Sequence, residues 1–251
     1  MNVLITRPLE AGKGLCEKIN QQGMHAKPFP VIECHATPNQ TALALAIDAL
    51  ETIDIVIFVS RPAVQFTLPA IKKRWCLLPS LIWAAIGPAT AEALKAQGIP
   101  KVLLPLTPPY ETESLLAIKA LKHIDKKKIL IFRGNSGRDL LRHVLEKRGG
   151  IVHTVESYQR CLPNMDKVER LANWHHNAID VIVTTSAAGL HNLLLLIPSS
   201  ITYLKEIPLV VVGTRMLQLA NKLGFKHPLL AADADDTSII KVLTEFKDKF
   251  R

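Results

Sequence analysis

The sequence has few cysteines and no long hydrophobic run, and both absences restrict the class of protein. Its cysteines are Cys16, Cys34, Cys76 and Cys161. They lie far apart and form no Cys-x-x-Cys pair, so we expect neither a disulfide framework nor a zinc site. No apolar stretch approaches the ~18 residues that a membrane-spanning helix requires, and residues 1–8 lack the basic and apolar regions of a signal peptide. We therefore expect a cytoplasmic protein with no membrane partner.

Aromatic residues are also scarce, at 5% of the chain, and no nucleic-acid-binding motif is present. Basic residues nevertheless outnumber acidic ones, 31 against 22, which gives a formal net charge of +9. Such a charge indicates an anionic partner, which could be a nucleic acid, an acidic membrane surface, or a carboxylate or phosphate ligand. The lysine run at 126–128 is typical of a solvated surface, and we expect no nucleic-acid partner.

Motifs for metal, phosphate and nucleophilic chemistry are missing. Of nine histidines only His175 and His176 are adjacent, and neighbouring side chains point in different directions on a helix or a strand, so we expect no metal site. Gly12-Lys13-Gly14 resembles part of a P-loop, but no serine or threonine follows the lysine. No G-x-G-x-x-G opens a helix after a strand, and no G-x-S-x-G turn occurs.

Short apolar stretches alternate with helical patterns along the whole chain, which is typical of βα units and a parallel sheet. The predicted strands are Val3–Thr6, Ile55–Ser60, Ile82–Ile86, Ile129–Phe132, Val181–Thr185 and Leu209–Val212. Helix-ending glycines are expected at Gly23, Gly98, Gly149, Gly150 and Gly224. With 48% hydrophobic residues, the chain has enough apolar side chains for packed α/β domains.

The chain repeats itself at an offset of 126 residues. Leu4-Ile5-Thr6-Arg7 matches Leu130-Ile131-Phe132-Arg133, Asp54-Ile55-Val56-Ile57 matches Asp180-Val181-Ile182-Val183, Ser60 matches Ser186, and Gly87 matches Gly213. This collinear series predicts two similar α/β halves, residues 1–126 and 127–251. The repeat unit need not be the domain, because the second strand of each half, Lys27–Cys34 or Val152–Arg160, can lead the chain from one body to the other.

Six loops follow the carboxyl ends of the predicted strands, where ligands bind in open parallel sheets. They span 6–8, 60–62, 87–90, 133–138, 184–186 and 213–215, and none contains Asp or Glu. Their backbone N–H groups, hydroxyls and guanidinium groups suit a carboxylate or a phosphate. Any turn from strand to helix needs the same residue types, so one loop alone does not establish a site. The loop 133–138 is the clearest anion site because it combines Arg133, Arg138 and two glycines.

Six motifs occur in a fixed order along the chain. They are Thr6-Arg7-Pro8, Ser60 with Ala63-Val64, Ile86-Gly87-Pro88-Ala89-Thr90-Ala91, Glu113-Ser114-Leu115-Leu116, Arg133-Gly134-Asn135-Ser136-Gly137-Arg138 and Tyr158-Gln159-Arg160. Together they resemble the uroporphyrinogen-III synthase family over essentially the whole chain. The resemblance implies two similar flavodoxin-like α/β domains with parallel sheets, joined by a two-stranded linker, with a cleft between them. It places one discontinuous domain at 1–35 and 163–251 and the other at 39–157, with crossings near 36–38 and 158–162.

The resemblance also implies an activity. Members of this family bind hydroxymethylbilane, an open tetrapyrrole, and remove its terminal hydroxyl as water. They invert the last pyrrole ring through a spirocyclic intermediate, close the macrocycle, and use no cofactor and no metal. We therefore expect a cofactor-independent lyase of haem biosynthesis, acting as a monomer on a polycarboxylate substrate. The alternative is a non-catalytic two-domain protein that closes on an anionic small molecule, because it would share the same fold and loops.

The same resemblance implies roles for individual residues. Tyr158 is the expected proton donor to the departing hydroxyl, with a buried structural tyrosine as the alternative. The expected substrate-binding residues are Arg7, Ser60, Thr90, Arg133, Gly134, Asn135, Gly137, Arg138, Ser186 and Thr214. Because the intermediates are cationic azafulvenes, we expect the arginines at peripheral carboxylates and neutral groups near the reacting ring. Met216 stands in the second half where Thr90 stands in the first, and the sequence leaves open whether Thr214 or Arg215 replaces that threonine.

Overall fold

The computed structural model describes residues 1–164, 179–198 and 201–249, so His175 and His176 lie outside the described residues. The strands in this part of the chain are β1 Asn2–Ile5, β2 His25–Pro28, β3 Glu33–Ala36, β4 Ile55–Phe58, β5 Ile82–Ala85, β6 Lys128–Gly134, β7 Ile151–Cys161, β8 Val181–Val183, β9 Leu209–Val212 and β10 Pro228–Ala231. The α-helices are α1 Leu9–Gln21, α2 Gln40–Asp48, α3 Arg61–Arg74, α4 Pro88–Ala96, α5 Thr112–Ala117, α6 Leu140–Lys147, α7 Ala187–Leu196, α8 Ile201–Glu206, α9 Gly213–Lys222 and α10 Asp236–Lys249. Within the described ranges, no helix is both long enough and apolar enough to cross a membrane.

The chain divides into two compact units. Unit 1 comprises residues 1–33 and 161–251, and unit 2 comprises residues 34–160. The sheet of unit 1 has the strand order β10-β9-β8-β1-β2, and every neighbouring pair is parallel. Counted along unit 1, this is the order 2-1-3-4-5 of flavodoxin-like folds. The central strands β1, β8 and β9 are almost continuously buried, as expected for a parallel sheet that is covered by helices.

Unit 2 contains a sheet of the order β3-β7-β6-β4-β5. Its pairs β4/β5, β4/β6 and β6/β7 are parallel, and an isolated parallel bridge joins Ala84 to Leu103 beside β5. Counted from β6, these elements follow the order seen in unit 1, because β6 and β7 correspond to β1 and β2, while β4 and β5 correspond to β8 and β9.

The 126-residue repeat fixes the register of both sheets. Val3 pairs with Val181 in unit 1, and their counterparts Ile129 and Ile55 pair in unit 2. The other two strand pairs follow the same rule. In unit 1, Asn2 pairs with His25 and Ile182 pairs with Leu209. Their counterparts pair in unit 2, Lys128 with Ile151 and Val56 with Trp83. Each unit therefore takes two strands from one half of the sequence and the remaining strands from the other half.

All six strands that were predicted from short apolar stretches are present. The prediction for the second strand of the first half was wrong. The stretch Lys27–Cys34 forms two strands, β2 and β3, which belong to different sheets. Pro28 is the last residue of β2, and Pro30, which has no backbone N–H to donate to a ladder, lies between the two strands. The second error is the omission of β10, a short edge strand that begins with proline and has no β-branched residue. Strand β7 also continues past Tyr158 to Cys161.

The positions of the helix-ending glycines are confirmed at four of the five predicted sites. Gly23, Gly98, Gly149 and Gly224 have φ angles of 68°, 85°, 84° and 86°. Each follows the last turn of a helix. A residue in the left-handed conformation there lets backbone N–H groups bond to the unpaired carbonyls of that turn, and any residue other than glycine would be strained in it. Gly150 does not have a positive φ and instead lies close to Ile124, Ile129 and the carbonyl of Leu145.

The cysteines differ in their environments, which predicts their reactivity. Cys16 is buried in the core of unit 1, and this burial, with the charge of Glu17, raises the pKa of its thiol to about 11. Cys76 is exposed. Because the thiolate is the reactive form, we expect an aromatic disulfide reagent near neutral pH to label Cys76 rapidly and Cys16 only after unfolding. A C76S variant should lose the rapid phase and a C16S variant should keep it; equal labelling rates in the native protein would contradict this.

Candidate active site

A pocket of about 190 Å³ lies in unit 2 at the carboxyl ends of β4 and β6. Six of the residues expected from the sequence line it: Ser60, Arg133, Gly134, Gly137, Arg138 and Tyr158. The remaining polar lining residues are Thr112, Ser136, Arg142, Thr154 and Arg160, and the apolar ones are Val59, Ile86, Ile131 and Leu141. The described lining thus has four guanidinium groups, several hydroxyls and no acidic side chain. Such a lining suits a ligand that carries carboxylates or phosphates.

Tyr158 forms one wall of this pocket and is itself only 1% exposed. Its ring stacks on Phe66 with the centroids 6.1 Å apart. Gly134 makes room for the ring, since a Cβ atom at this position would lie 2.7 Å from Cζ of Tyr158. The register of β6 and β7 shifts at this place, so that Gly134 lies opposite Tyr158. The ring of Tyr158 is therefore packed between its neighbours, with Phe66 stacked on it and Gly134 in close contact.

The phenol and a neighbouring serine form a hydroxyl pair. Ser60 Oγ lies 3.0 Å from the Tyr158 hydroxyl, and it also accepts a hydrogen bond from the Ala63 N–H, because Ser60 caps the amino end of α3. Arg160 donates to the same phenolic oxygen at 3.3 Å. The two hydroxyls carry two hydrogens, and only one of them is used in the bond between Tyr158 and Ser60. The other is available to a ligand, whichever residue acts as the donor in the pair.

Two arginines of the loop 133–138 already have carboxylate partners. Arg133 pairs with Asp139 at 2.6 Å, and Arg138 makes two hydrogen bonds to Glu113, at 2.7 and 3.2 Å. The hydrogen bond from Arg138 lowers the pKa of Glu113 below its ordinary value. These acids come from outside the loop and were not expected from the composition of the loop alone. Any ligand carboxylate at Arg133 or Arg138 would therefore have to compete with a carboxylate of the protein.

Arg7 has a carboxylate partner within unit 1. It donates to Asp236 at 2.7 Å and to the carbonyl of Ala234, and its side chain is 11% exposed. Lys18 donates to the other oxygen of Asp236 at 2.7 Å. Asp236 thus links the end of β1, helix α1 and the start of α10. This arrangement gives Arg7 a structural role in unit 1.

Replacing Asp236 with asparagine is expected to lower the free energy of unfolding by about 1–3 kcal/mol at neutral pH, because Arg7 and Lys18 lose a charged acceptor. Burial raises the pKa of Asp236, but the hydrogen bonds from Lys18 and Arg7 outweigh burial and lower it below 3.8. Because the pKa of Asp236 is lower in the folded than in the unfolded protein, the ionised carboxylate stabilises the fold at pH values above 3.8. This stabilisation is lost as the pH falls through the pKa of the folded state. Denaturant unfolding of both proteins across this range should show their stabilities converging in acid; a constant difference would contradict the assignment.

The other expected residues have mainly local roles in the structure. Ser186 caps α7 by accepting from the Gly189 N–H at 3.0 Å, as Ser60 caps α3. Thr90 is buried in the first turn of α4 and does not line the pocket. Thr214 and Arg215 lie at the start of α9, whereas Met216, the counterpart of Thr90, is buried. The two halves therefore have a buried residue at this position near the start of the helix, although it is a threonine in one half and a methionine in the other.

Asn135 follows β6 and makes hydrogen bonds to β7, and it does not line the pocket. Its backbone N–H donates to the Tyr158 carbonyl at 3.1 Å, and its side-chain oxygen accepts from the Arg160 N–H at 3.0 Å. Arg142, Thr154 and Arg160 were not selected from the sequence, although they line the pocket. The motif at 158–160 contained the only signal for Arg160, and no sequence pattern marked the other two. In the part of the chain that the structure covers, no cluster of His, Cys, Asp and Glu could hold a metal ion.

Solved structures with the same architecture include proteins of Helicobacter pylori and Thermus thermophilus. The uroporphyrinogen-III synthetase of Helicobacter pylori superposes with a TM-score of 0.64 at 13% identity, covering 98% of this chain and 99% of that one. A mutant uroporphyrinogen III synthase of Thermus thermophilus gives a TM-score of 0.56 at 18% identity, covering 99% and 98%. At these identities the likeness concerns the fold, and it confirms the predicted α/β fold with parallel sheets.

Sequence comparison gives the family. The family model "Uroporphyrinogen-III synthase HemD" matches residues 13–241. The uroporphyrinogen-III synthases of Salmonella typhimurium and Escherichia coli are each 34% identical over 248 residues, which is 97% of this chain and 100% of each relative. The match to the family model and to relatives over their full length shows that this chain belongs to the uroporphyrinogen-III synthase family.

Proposed function

We propose that this protein converts hydroxymethylbilane into uroporphyrinogen III in haem biosynthesis, as the names of its relatives indicate for those proteins. The reaction removes one water and closes the macrocycle with the last pyrrole ring inverted. The substrate carries eight carboxylates, an acetate and a propionate on each of four pyrrole rings. The observation that carries the proposal is the pocket of unit 2, where four guanidinium groups and the hydroxyl pair of Tyr158 and Ser60 line the same space, with no acidic side chain in the described lining.

In this proposal Tyr158 starts the reaction by giving its proton to the departing hydroxyl. The carbon–oxygen bond breaks, water leaves, and the substrate becomes a cationic azafulvene. Ring closure then releases one proton from the attacking pyrrole, and this proton restores the phenol. The hydroxyl pair of Tyr158 and Ser60 suits this role because one of its two hydrogens is free to point at a ligand.

The proposed reaction needs no oxidant, reductant or cofactor. Substrate and product differ only by one molecule of water, so the balance is complete with the protons named above. The substrate can also ionise and close without an enzyme, but without ring inversion it gives the type I isomer. Holding the chain of four rings in the geometry that favours inversion is therefore the larger part of the task. The protein would act as a cyclising hydro-lyase.

The test is to mix the purified protein with freshly prepared hydroxymethylbilane and to separate the uroporphyrin isomers after oxidation. We expect the type III isomer to predominate with the protein and the type I isomer without it. A protein that only binds the substrate would slow or leave unchanged the formation of type I and would produce no type III. That result would favour the alternative of a two-domain binding protein and would overturn the proposal.

A further inference from the structure

Arg160 differs from the other arginines of the pocket in having no carboxylate partner among the residues that the structure describes. Arg133, Arg138 and Arg142 each pair with an acidic side chain of the protein, at 2.6, 2.7 and 2.9 Å. The guanidinium of Arg160 instead contacts Tyr158, through the hydroxyl at 3.3 Å and over the ring at 5.9 Å. Arg160 is therefore the pocket arginine whose charge is available to an anion.

The position of Arg160 is fixed although its side chain is exposed. Asn135 accepts a hydrogen bond from its backbone N–H, and the Asn135 N–H in turn holds the carbonyl of Tyr158. The guanidinium lies over the ring of Tyr158 in a cation–π contact, and that ring packs against Gly134. A guanidinium has five N–H groups, and among the described residues that of Arg160 donates a hydrogen bond only to Tyr158.

The chemistry of the proposed reaction requires that this charge be neutralised. The azafulvene intermediate is a cation, and an unpaired guanidinium next to the proton donor would repel it. No described carboxylate of the protein does this, whereas the substrate brings eight. A carboxylate bound to Arg160 would remove the repulsion and would place the attached pyrrole ring beside the Tyr158 hydroxyl.

We propose that Arg160 binds one side-chain carboxylate of the substrate, and that Asn135 positions Arg160 for this contact. The inference rests on the proposed function and adds to it the group that the pocket recognises. A planar guanidinium with several free donors matches a carboxylate, which can accept two parallel hydrogen bonds. The neutral hydroxyls of Ser60 and Tyr158 are left for the reacting end of the same ring.

The test measures KM and kcat for hydroxymethylbilane in R160Q and R160K variants, with K95Q as the control. Lys95 is exposed in the last turn of α4, so K95Q removes one positive charge away from the pocket. We expect R160Q to raise KM about 10- to 100-fold, as for the loss of charge-assisted hydrogen bonds, with a much smaller change in kcat. R160K should lie between R160Q and the wild type, and N135A should raise KM less than R160Q. An unchanged KM in R160Q, or a fall in kcat alone, would overturn the proposal.

A second measurement separates this inference from the proposed function and from misfolding. Phenylglyoxal modifies accessible arginines, and mass spectrometry of the wild-type protein should show Arg160 modified before Arg133, Arg138 and Arg142. Uroporphyrin III, which carries the same eight carboxylates, should protect Arg160. If the protein forms no uroporphyrinogen III but Arg160 is protected, the proposed function fails and the carboxylate site stands. Rapid modification of Arg160 that uroporphyrin III does not reduce would overturn the site.

Discussion

Replacing Tyr158 with phenylalanine is expected to lower turnover by about a hundredfold without abolishing it. General-acid help by a positioned side chain contributes roughly 10²–10⁴ in rate, and the substrate ionises slowly by itself, so the lower end applies. The ring of phenylalanine keeps the packing against Gly134 and Phe66, and only the hydroxyl is lost. Single-turnover rates with isomer analysis would measure the effect. The remaining product should still contain the type III isomer, because Y158F leaves the proposed substrate-binding residues unchanged.

Tyr203→Phe is the matched control, since Tyr203 is 54% exposed on α8 in unit 1. This change should leave the rate as it is in the wild type. The melting temperature of Y158F should be measured alongside, because the lost hydrogen bonds to Ser60 and Arg160 also affect stability. If correctly folded Y158F turns over at the wild-type rate, Tyr158 is a structural tyrosine and has no part in the chemistry.

Replacing Gly134 with alanine is expected to lower both stability and turnover. The new Cβ atom would lie 2.7 Å from Cζ and 3.0 Å from the hydroxyl oxygen of Tyr158, and the ring is too tightly packed to move freely. Overpacking of this kind costs about 1–3 kcal/mol. We also expect roughly a tenfold or greater loss of turnover, of the order that a displaced catalytic group produces. Denaturant unfolding and the isomer assay measure the two effects separately.

The double variant G134A/Y158F tests whether the two losses of turnover have one cause. If Gly134 acts only by placing the phenol, the double variant should turn over no more slowly than Y158F. A further loss would show that Gly134 contributes to the reaction independently. Gly14→Ala is the control for stability, because a Cβ at Gly14 meets nothing within 4 Å and alanine favours helix α1 by about 1 kcal/mol.

The sequence predicted the sheets well because their residues follow simple repeating patterns. Alternating βα segments gave the six main strands, and the offset of 126 residues anticipated a register that both units share, as Val3 with Val181 and Ile129 with Ile55 show. The exchange of strands between the halves was left open, because hydrophobic pattern does not tell which sheet a strand joins. The break between β2 and β3 contains Pro30, but the composition of the stretch Lys27–Cys34 alone predicts a single strand.

The site was predictable where function and turn chemistry use the same residues. Ser60 and Gly134 lie at the ends of β4 and β6, Tyr158 lies near the end of β7, and all three line the pocket. The partners of the arginines were not predictable, since Asp236 lies 229 residues from Arg7 and Glu113 lies 25 residues from Arg138. Residues so far apart in the sequence come into contact only through the tertiary fold. The sequence therefore identified which loops hold the pocket residues, but it did not show which guanidinium is left without a carboxylate among the described residues.

The exchange of strands also sets the order in which the protein can fold during synthesis. Unit 2 is a continuous stretch and is complete once the ribosome has made residue 160. Strand β1 leaves the ribosome first, yet the strand that covers its open edge, β8, is made only after the whole of unit 2. Because domains fold as units while the chain emerges, the N-terminal βαβ segment has to wait, with one unpaired edge, for the last third of the polypeptide. A nascent chain that ends at residue 160 and is carried out of the ribosomal exit tunnel by a C-terminal linker should therefore protect unit 2 from proteases and leave residues 1–33 open to cleavage.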